Sequence, residues 1–171
     1  MFMSMAKRLF LAVCPPMSLT KTIEQSIRLP IDCRPVAAEN YHVTLLFLGL
    51  VEPELQVEIC RSMAQVTSTP FTVQFRQITH WEKPKVLCLT DSKANAALLN
   101  VVTQIKKGVE KLGVSVERRP FQAHLTVAKG VLRPHFDTVS RISWPVESFC
   151  LLESIGVSSG VRYDVIQKWD F

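Results

Sequence analysis

The stretch ENYHVTLLFLG, residues 39–49, decides the fold, because it sets two polar side chains into an otherwise apolar run. His42 and Thr44 stand two positions apart, and Val43 and Leu45 alternate with them. In a β-strand, residues i and i+2 point to the same face of the sheet. The pattern therefore predicts a strand that buries its apolar side chains on one face and holds an imidazole and a hydroxyl together on the other.

The same pattern returns in RRPFQAHLTVAKG, residues 118–130, where His124 and Thr126 take the two polar positions. A single copy is typical of ordinary strand packing. For this composition, a His-x-Thr-x motif with apolar residues at both x positions is expected about 0.06 times per chain, so two copies arise by chance in about two chains per thousand. The pair therefore indicates two halves of one site, on two related lobes that each take about half of the chain.

Periodicity along the rest of the chain predicts an α+β fold with largely antiparallel sheets, because runs of strands and helices replace a regular strand–helix alternation. Helices are expected at residues 17–29, capped by Ser18 or Thr20, at 52–66, and at 93–112, where Gly113 ends the helix. Strands are expected at residues 8–14, 41–48 (ended by Gly49), 71–81, 85–90, 121–129, around 147–159, and 162–171.

Composition narrows the class of protein. A chain of 171 residues with 47% hydrophobic content predicts one compact domain, residues 1–171, and we expect it to be monomeric. The net charge of +5 suits a partner that carries phosphate without requiring one. Five scattered cysteines without a Cys-x-x-Cys pair indicate free thiols in the cytoplasm. No apolar run is long enough to cross a membrane.

The two motifs, together with RLFLAVCPP at residues 8–16 and RYDVIQKW at residues 162–169, resemble the two-histidine phosphoesterase superfamily. The chain is most similar to the bacterial RNA 2′,3′-cyclic phosphodiesterases, historically called 2′-5′ RNA ligases or LigT-like proteins. The resemblance spans nearly the whole chain. It implies a bilobal fold with two pseudo-symmetric lobes, in which mainly antiparallel sheets flank a central cleft and helices lie outside.

The resemblance also implies the roles of the two histidines, with His42 as proton donor and His124 as proton acceptor. Opening a cyclic phosphate needs one base and one acid, and two imidazoles with a pKa near neutrality can supply both. The hydroxyls of Thr44 and Thr126 can hydrogen-bond the non-bridging phosphate oxygens. The scheme requires no metal and no cofactor, and the remaining histidines, His80 and His135, are isolated in the sequence.

The chain departs from the family pattern at two positions. Ala123 precedes the second histidine, where the family usually has proline. Lys129 stands where the family usually has a phosphate-binding arginine, and lysine keeps the positive charge but loses the planar bidentate fork.

Several neighbouring residues leave alternatives open. Trp81, after His80, is expected to pack, although its ring could stack a base. Phe47 and Phe121 are likewise expected in the core rather than against a base. The pair Arg118-Arg119 is an equal choice between a phosphate contact and a plain solvated turn.

The expected activity is hydrolysis of RNA ends that carry a 2′,3′-cyclic phosphate, tRNA fragments included, to a 2′-phosphomonoester. Ring opening by an RNA 5′-hydroxyl in place of water would form a 2′-5′ linkage, so ligation is expected as a side activity. Two alternatives stay open: a phosphodiesterase for small cyclic nucleotides or 2′-5′ oligoadenylates, and an RNA-binding module without turnover. Intact histidine and threonine in both motifs disfavour the module, because binding alone does not need a symmetric pair.

Overall fold

The computed structural model describes residues 5–133, 137–158 and 160–171, which form nine β-strands and three α-helices. The strands are β1 (Lys7–Val13), β2 (Arg34–Pro35), β3 (Val43–Val51), β4 (Phe71–Trp81), β5 (Val86–Thr90), β6 (Leu125–Lys129), β7 (Asp137–Val146), β8 (Ser148–Val157) and β9 (Gly160–Asp170). The helices are α1 (Met17–Ser26), α2 (Pro53–Met63) and α3 (Ala96–Glu110), and a short 3₁₀ helix spans Ala38–Asn40.

The strands form two sheets, and every strand pair in the described part of the chain is antiparallel, so the predicted α+β class is confirmed. Sheet A has the order β3-β1-β8-β9, and sheet B has the order β2-β6-β5-β4-β7. Sheet A therefore joins the first and last strands of the chain. The two sheets do not divide the chain into a first and a second half, because sheet A takes β8 and β9 from the C-terminal part. The central strand β1 of sheet A is buried on both faces, so the backbone polar groups along both of its edges need hydrogen-bonding partners. Strand β3 pairs with one edge and β8 with the other.

One continuous apolar cluster contains side chains from both sheets and from the three helices, with Trp144, Phe75 and Phe149 among its largest fully buried members. A second, smaller cluster lies on the other face of sheet A and consists of Phe10, Ala12, Cys150 and Leu152. Phe10 and Ala12 alternate with residues of the main cluster along β1. The face of sheet A that carries the small cluster is therefore the one available for a site.

Several strands differ from the sequence prediction: β2 was not predicted, and β6 begins at Leu125 instead of at residue 121. Strand β3 runs past Gly49 instead of ending there, because Gly49 adopts a φ of +76° and allows a bulge opposite Leu9 and Phe10, after which Leu50 pairs with Arg8. Strand β7 was not predicted, since Pro145 interrupts its pattern. Proline is tolerated there because β7 is an edge strand of sheet B.

Of the two capping predictions, the one for the start of α1 was wrong and the one for the end of α3 is confirmed. Pro16 is the N-cap residue of α1, and neither Ser18 nor Thr20 caps this helix. The Thr20 hydroxyl instead donates to the Met17 carbonyl. Helix α3 begins later than predicted, because the Asn95 side chain accepts a hydrogen bond from the Leu98 N–H at 3.0 Å. The predicted C-terminal role of Gly113 is confirmed. Its N–H donates to the Glu110 carbonyl, and the next N–H donates to Val109.

No helix in residues 5–133, 137–158 or 160–171 has the length and apolar character needed to span a bilayer. The predicted strand at residues 147–159 corresponds to β8, and its last residue lies outside the described part of the chain.

Candidate active site

His42 lies immediately before β3, not within it as the sequence predicted. Its Nδ1 donates a hydrogen bond of 2.8 Å to the backbone carbonyl of Asn40, two residues before it. The ring is half-buried between two aromatic side chains, with its centroid 5.1 Å from Phe10 and 5.0 Å from Tyr163. Three contacts from three different segments therefore fix this imidazole.

His124 repeats the arrangement at the start of β6. It also lies one residue before its strand, and its Nδ1 donates a hydrogen bond of 2.9 Å to the carbonyl of Gln122. Trp81, at the end of β4, packs against the imidazole with ring centroids 4.4 Å apart. Each histidine is thus held by the carbonyl two residues before it and by an aromatic ring from another strand.

The two hydrogen bonds determine which nitrogen is free to react. A carbonyl oxygen only accepts, so Nδ1 of each ring carries a hydrogen. In the neutral imidazole the other nitrogen, Nε2, then has a free lone pair, and in the charged imidazole it carries a proton. Each ring can therefore act as a base or as an acid through Nε2.

The electrostatic surroundings link the two histidines. Burial lowers the pKa of His42 most strongly, the hydrogen bond to Asn40 raises it, and the charges of His124 and Lys129 lower it further. Burial also lowers the pKa of His124, against the hydrogen bond to Gln122, and the Arg119 charge adds to the decrease. The charge on His124 therefore acts at His42, and both rings favour the neutral form when no anion is bound.

A cavity of about 290 Å³ adjoins the second histidine, and its lining includes both His124 and Thr44. Residues from the two predicted motifs therefore share one cavity. The half-buried hydroxyl of Thr126 lies 3.6 Å from the Cys88 sulfur on the neighbouring strand β5. Burial raises the pKa of that thiol to about 11, so Cys88 is a neutral neighbour of the threonine.

Three aromatic side chains line the same cavity: Phe47, Trp81 and Phe121. Phe47 is 67% exposed, so the expectation that it belongs to the core was wrong. Phe121 is half-buried against the main cluster, as expected, and still presents part of its ring to the cavity. Trp81 packs against His124, as expected, and it also lines the cavity, where its ring is in a position to stack a base.

The three basic residues near the second motif have three different positions. Arg119 lines the 290 Å³ cavity and forms a 2.7 Å ion pair with Glu117. Arg118 is exposed and does not line it. Lys129, on the other hand, lines a second cavity together with Asn40 and Tyr163, the residues that hold His42.

The sequence did not identify Phe10, Tyr163 or Lys106 as site residues. Phe10 and Tyr163 lie in the first and last strands, and only the strand order of sheet A brings both to His42. Lys106 lines the 290 Å³ cavity and donates to the Glu117 carbonyl at 2.9 Å. The helical period of α3 places Lys106 on the polar face of the helix. The sequence does not indicate which part of the protein lies opposite that face.

His80 does not line either of the two cavities described above. His80 is buried, and its Nε2 donates to the Val131 carbonyl at 3.2 Å. His135 lies outside the described residues. In the described part of the chain, no three His, Cys, Asp or Glu side chains are grouped so that they could hold a metal ion.

Relatives of the chain agree with this architecture. The sequence profile of the LigT-like phosphoesterases matches residues 18–88. An RNA 2′,3′-cyclic phosphodiesterase of Archaeoglobus fulgidus is 30% identical over 128 residues, which cover 71% of this chain and 72% of that protein. The RNA 2′,3′-cyclic phosphodiesterase of Escherichia coli K12 is 25% identical over 172 positions, which cover 98% of each. The crystal structure of E. coli LigT in its apo form has a TM-score of 0.89 at 24% identity and covers 98% of both chains.

The two antiparallel sheets and the paired His-x-Thr motifs are those of a two-histidine phosphoesterase. The chain belongs to the family of LigT-like phosphoesterases.

Proposed function

We propose that this protein hydrolyses the 2′,3′-cyclic phosphate at the end of an RNA. The observation that carries the proposal is the pair of imidazoles that are fixed through Nδ1, interact electrostatically and present Nε2 for proton transfer. The relatives in Archaeoglobus fulgidus and E. coli are RNA 2′,3′-cyclic phosphodiesterases, which supports the same substrate class for this chain.

The proposed reaction assigns one proton transfer to each histidine. Nε2 of His124 takes a proton from a water molecule as its oxygen attacks phosphorus. The bond between phosphorus and the ribose 3′ oxygen breaks, and Nε2 of His42 gives its proton to that oxygen. The product is a 2′-phosphomonoester. Which histidine is the acid, and which ribose oxygen leaves, follow from the resemblance to the family.

The remaining proposed site residues bind the phosphate. Hydroxyls of Thr44 and Thr126 donate to the non-bridging oxygens, and Lys129 adds positive charge beside them. An anionic phosphodiester also raises the pKa of both imidazoles, which compensates for the decrease caused by burial and by the positive charges of Lys129 at His42 and of Arg119 at His124. Substrate binding therefore helps His42 to carry the proton that it must donate.

The proposal includes the setting of the reaction. Residues 1–171 form one bilobed domain that acts as a monomer in the cytoplasm; the apolar cluster that joins both sheets and the five free thiols support this. With the 5′-hydroxyl of a second RNA in place of water, the same ring opening joins the two RNAs by a 2′-5′ linkage: His124 takes the proton of that hydroxyl and His42 protonates the leaving 3′ oxygen.

The direct test is incubation with a five-nucleotide RNA that ends in a 2′,3′-cyclic phosphate, followed by mapping of the product. We expect a 2′-phosphate, and we expect the same rate in excess EDTA, because both proton transfers are assigned to imidazoles. The same RNA with a linear 3′-phosphate is the control and should be unchanged. Cleavage of a 2′-5′ oligoadenylate or a small cyclic nucleotide without action on the RNA would favour the alternative enzyme. RNA binding without turnover would favour the binding module.

The pH dependence follows from the direction of the two pKa shifts. Both imidazoles have a pKa below the ordinary histidine value of 6.5 in the free protein, so the proton needed on the acid is lost as pH rises through neutrality. We expect kcat/KM to peak on the acid side of pH 6.5 and to fall about tenfold per pH unit above pH 7. The kcat profile should lie at higher pH, because bound phosphate raises both pKa values. A kcat/KM that stays level from pH 6 to pH 9 would contradict the assignment.

A further inference from the structure

A wide cavity of about 800 Å³ opens beside His42 and is separate from the 290 Å³ cavity next to His124. Its wall includes Asn40, whose carbonyl holds the His42 ring, and Tyr163, whose ring packs against it. The Asn40 side chain also donates to the Val161 carbonyl at 2.9 Å, which ties the 3₁₀ helix to β9 across the cavity. The cavity is therefore connected to His42 through the two residues that hold its ring.

Basic residues outnumber acidic ones in this wall. Arg34, Lys129 and Arg162 are basic, and Glu39 is the acidic residue of the lining. We call this surface the basic groove. Asp164 pairs with Arg162 at 2.8 and 2.9 Å, so part of the positive charge is balanced. Within the described part of the chain, neither Arg34 nor Lys129 forms an ion pair.

The placement of these two cations is the observation that requires an explanation. Arg34 of β2 is directly opposite Lys129 of β6 in an antiparallel ladder. Like charges in such a pair repel each other and destabilise the sheet. The backbone of Gly130 also approaches the guanidinium closely, since an ideal Cβ there would lie 3.4 Å from the Arg34 Nε. The chain thus keeps two unbalanced cations side by side, which is the arrangement expected where an anion supplies the missing charge.

We propose that the basic groove binds the RNA strand that precedes the cyclic end, with Arg34 as the main contact for the nearest upstream phosphodiester and Arg162 farther along. The inference rests on the proposed function. A guanidinium offers a planar pair of donors that matches two phosphate oxygens. A mononucleotide ends at its own ribose and leaves the groove empty, whereas each additional nucleotide brings a phosphate into it. The protein therefore discriminates RNA ends from free cyclic nucleotides.

The experiment compares a nucleoside 2′,3′-cyclic monophosphate with a pentanucleotide that has the same terminal nucleoside and a 2′,3′-cyclic phosphate. We expect kcat/KM to be about tenfold or more higher for the pentanucleotide at low salt. Its logarithm should fall with the logarithm of salt concentration with a slope near 0.7 for each phosphate contact, as for other single strands. Arg34→Gln should reduce the pentanucleotide-to-mononucleotide ratio about tenfold and decrease the salt slope by roughly 0.7.

The matched control is Arg61→Gln, which removes an exposed arginine of α2 that pairs with Glu58 and lies outside both cavities. It should leave the ratio and the slope unchanged, and thermal unfolding of both variants checks that they fold. Equal kcat/KM for the two substrates, or equal loss of the ratio in R34Q and R61Q, would overturn the groove and leave the proposed hydrolysis intact. Failure to hydrolyse either substrate would instead refute the proposed function, and the groove assignment with it.

Discussion

His42→Ala and His124→Ala should each lower kcat for an RNA 2′,3′-cyclic phosphate about 10²-fold or more. Each change removes one of the two proton transfers, and general acid or base catalysis of this kind contributes about 10²- to 10⁴-fold. The double variant should lose much less than the product of the two single losses, because the two imidazoles act on the same transition state. Single-turnover rates of the three variants measure all of these losses on one substrate.

His80→Gln is the control for these variants. His80 is a buried histidine that donates from Nε2 to a backbone carbonyl, and a glutamine amide can donate in its place. We expect this variant to unfold at a lower temperature than the wild type while its kcat stays close to the wild-type value. Retention of more than a tenth of kcat by either alanine variant at the active site, or full multiplicative loss in the double variant, would contradict the two-histidine mechanism.

A substrate whose leaving group needs no proton should separate the roles of the two histidines. With a nitrophenyl phosphodiester, the departing nitrophenolate is stable as an anion, so the general acid becomes dispensable. Loss of His42 should then matter far less than loss of His124, which still has to activate water. We expect the two variants, similar on RNA, to differ about 10²-fold on this ester, since only one of them retains its proton transfer.

The measurement is the release of nitrophenolate by the wild type and the two alanine variants at one pH. If His124→Ala is the less affected variant, the acid and base assignments are reversed, and the mechanism survives with the roles exchanged. Equally severe losses in both variants would show that His42 acts by something other than protonation of the leaving group, such as charge stabilisation of the phosphate.

The strands that carry the histidines could be predicted because their side chains alternate with a period of two and because the motif occurs twice. Exposure alternates from Tyr41 through Thr44 as expected, even though the strand itself begins one residue after His42. The hydrogen bond that orients the His42 ring is made to a backbone carbonyl, and a carbonyl is present at every position of a chain. No residue type in the sequence therefore indicates that this hydrogen bond forms.

The alternation of apolar residues in β7 could have predicted this strand, but the sequence analysis did not identify it. Ile142, Trp144 and Val146 alternate and are all buried, but Pro145 between them argues against a strand unless its place at the sheet edge is known. The same limit applies to the site. Tyr163 contacts His42, and Arg34 is opposite Lys129, only because of strand orders and registers that join distant segments, which local patterns do not encode.

The order of strands in sheet A has a consequence for synthesis of the protein on the ribosome. Strands β1 and β3 can pair as soon as both have emerged, and Phe10 can then contact the His42 ring. Tyr163 belongs to β9, which follows on the order of 10 s later at ordinary elongation rates. Until β8 has emerged, one edge of the central strand β1 has no neighbour, and until β9 follows, the apolar face around Phe10 is not covered by Tyr163. The His42 side of the cleft is therefore complete only after β9 has emerged.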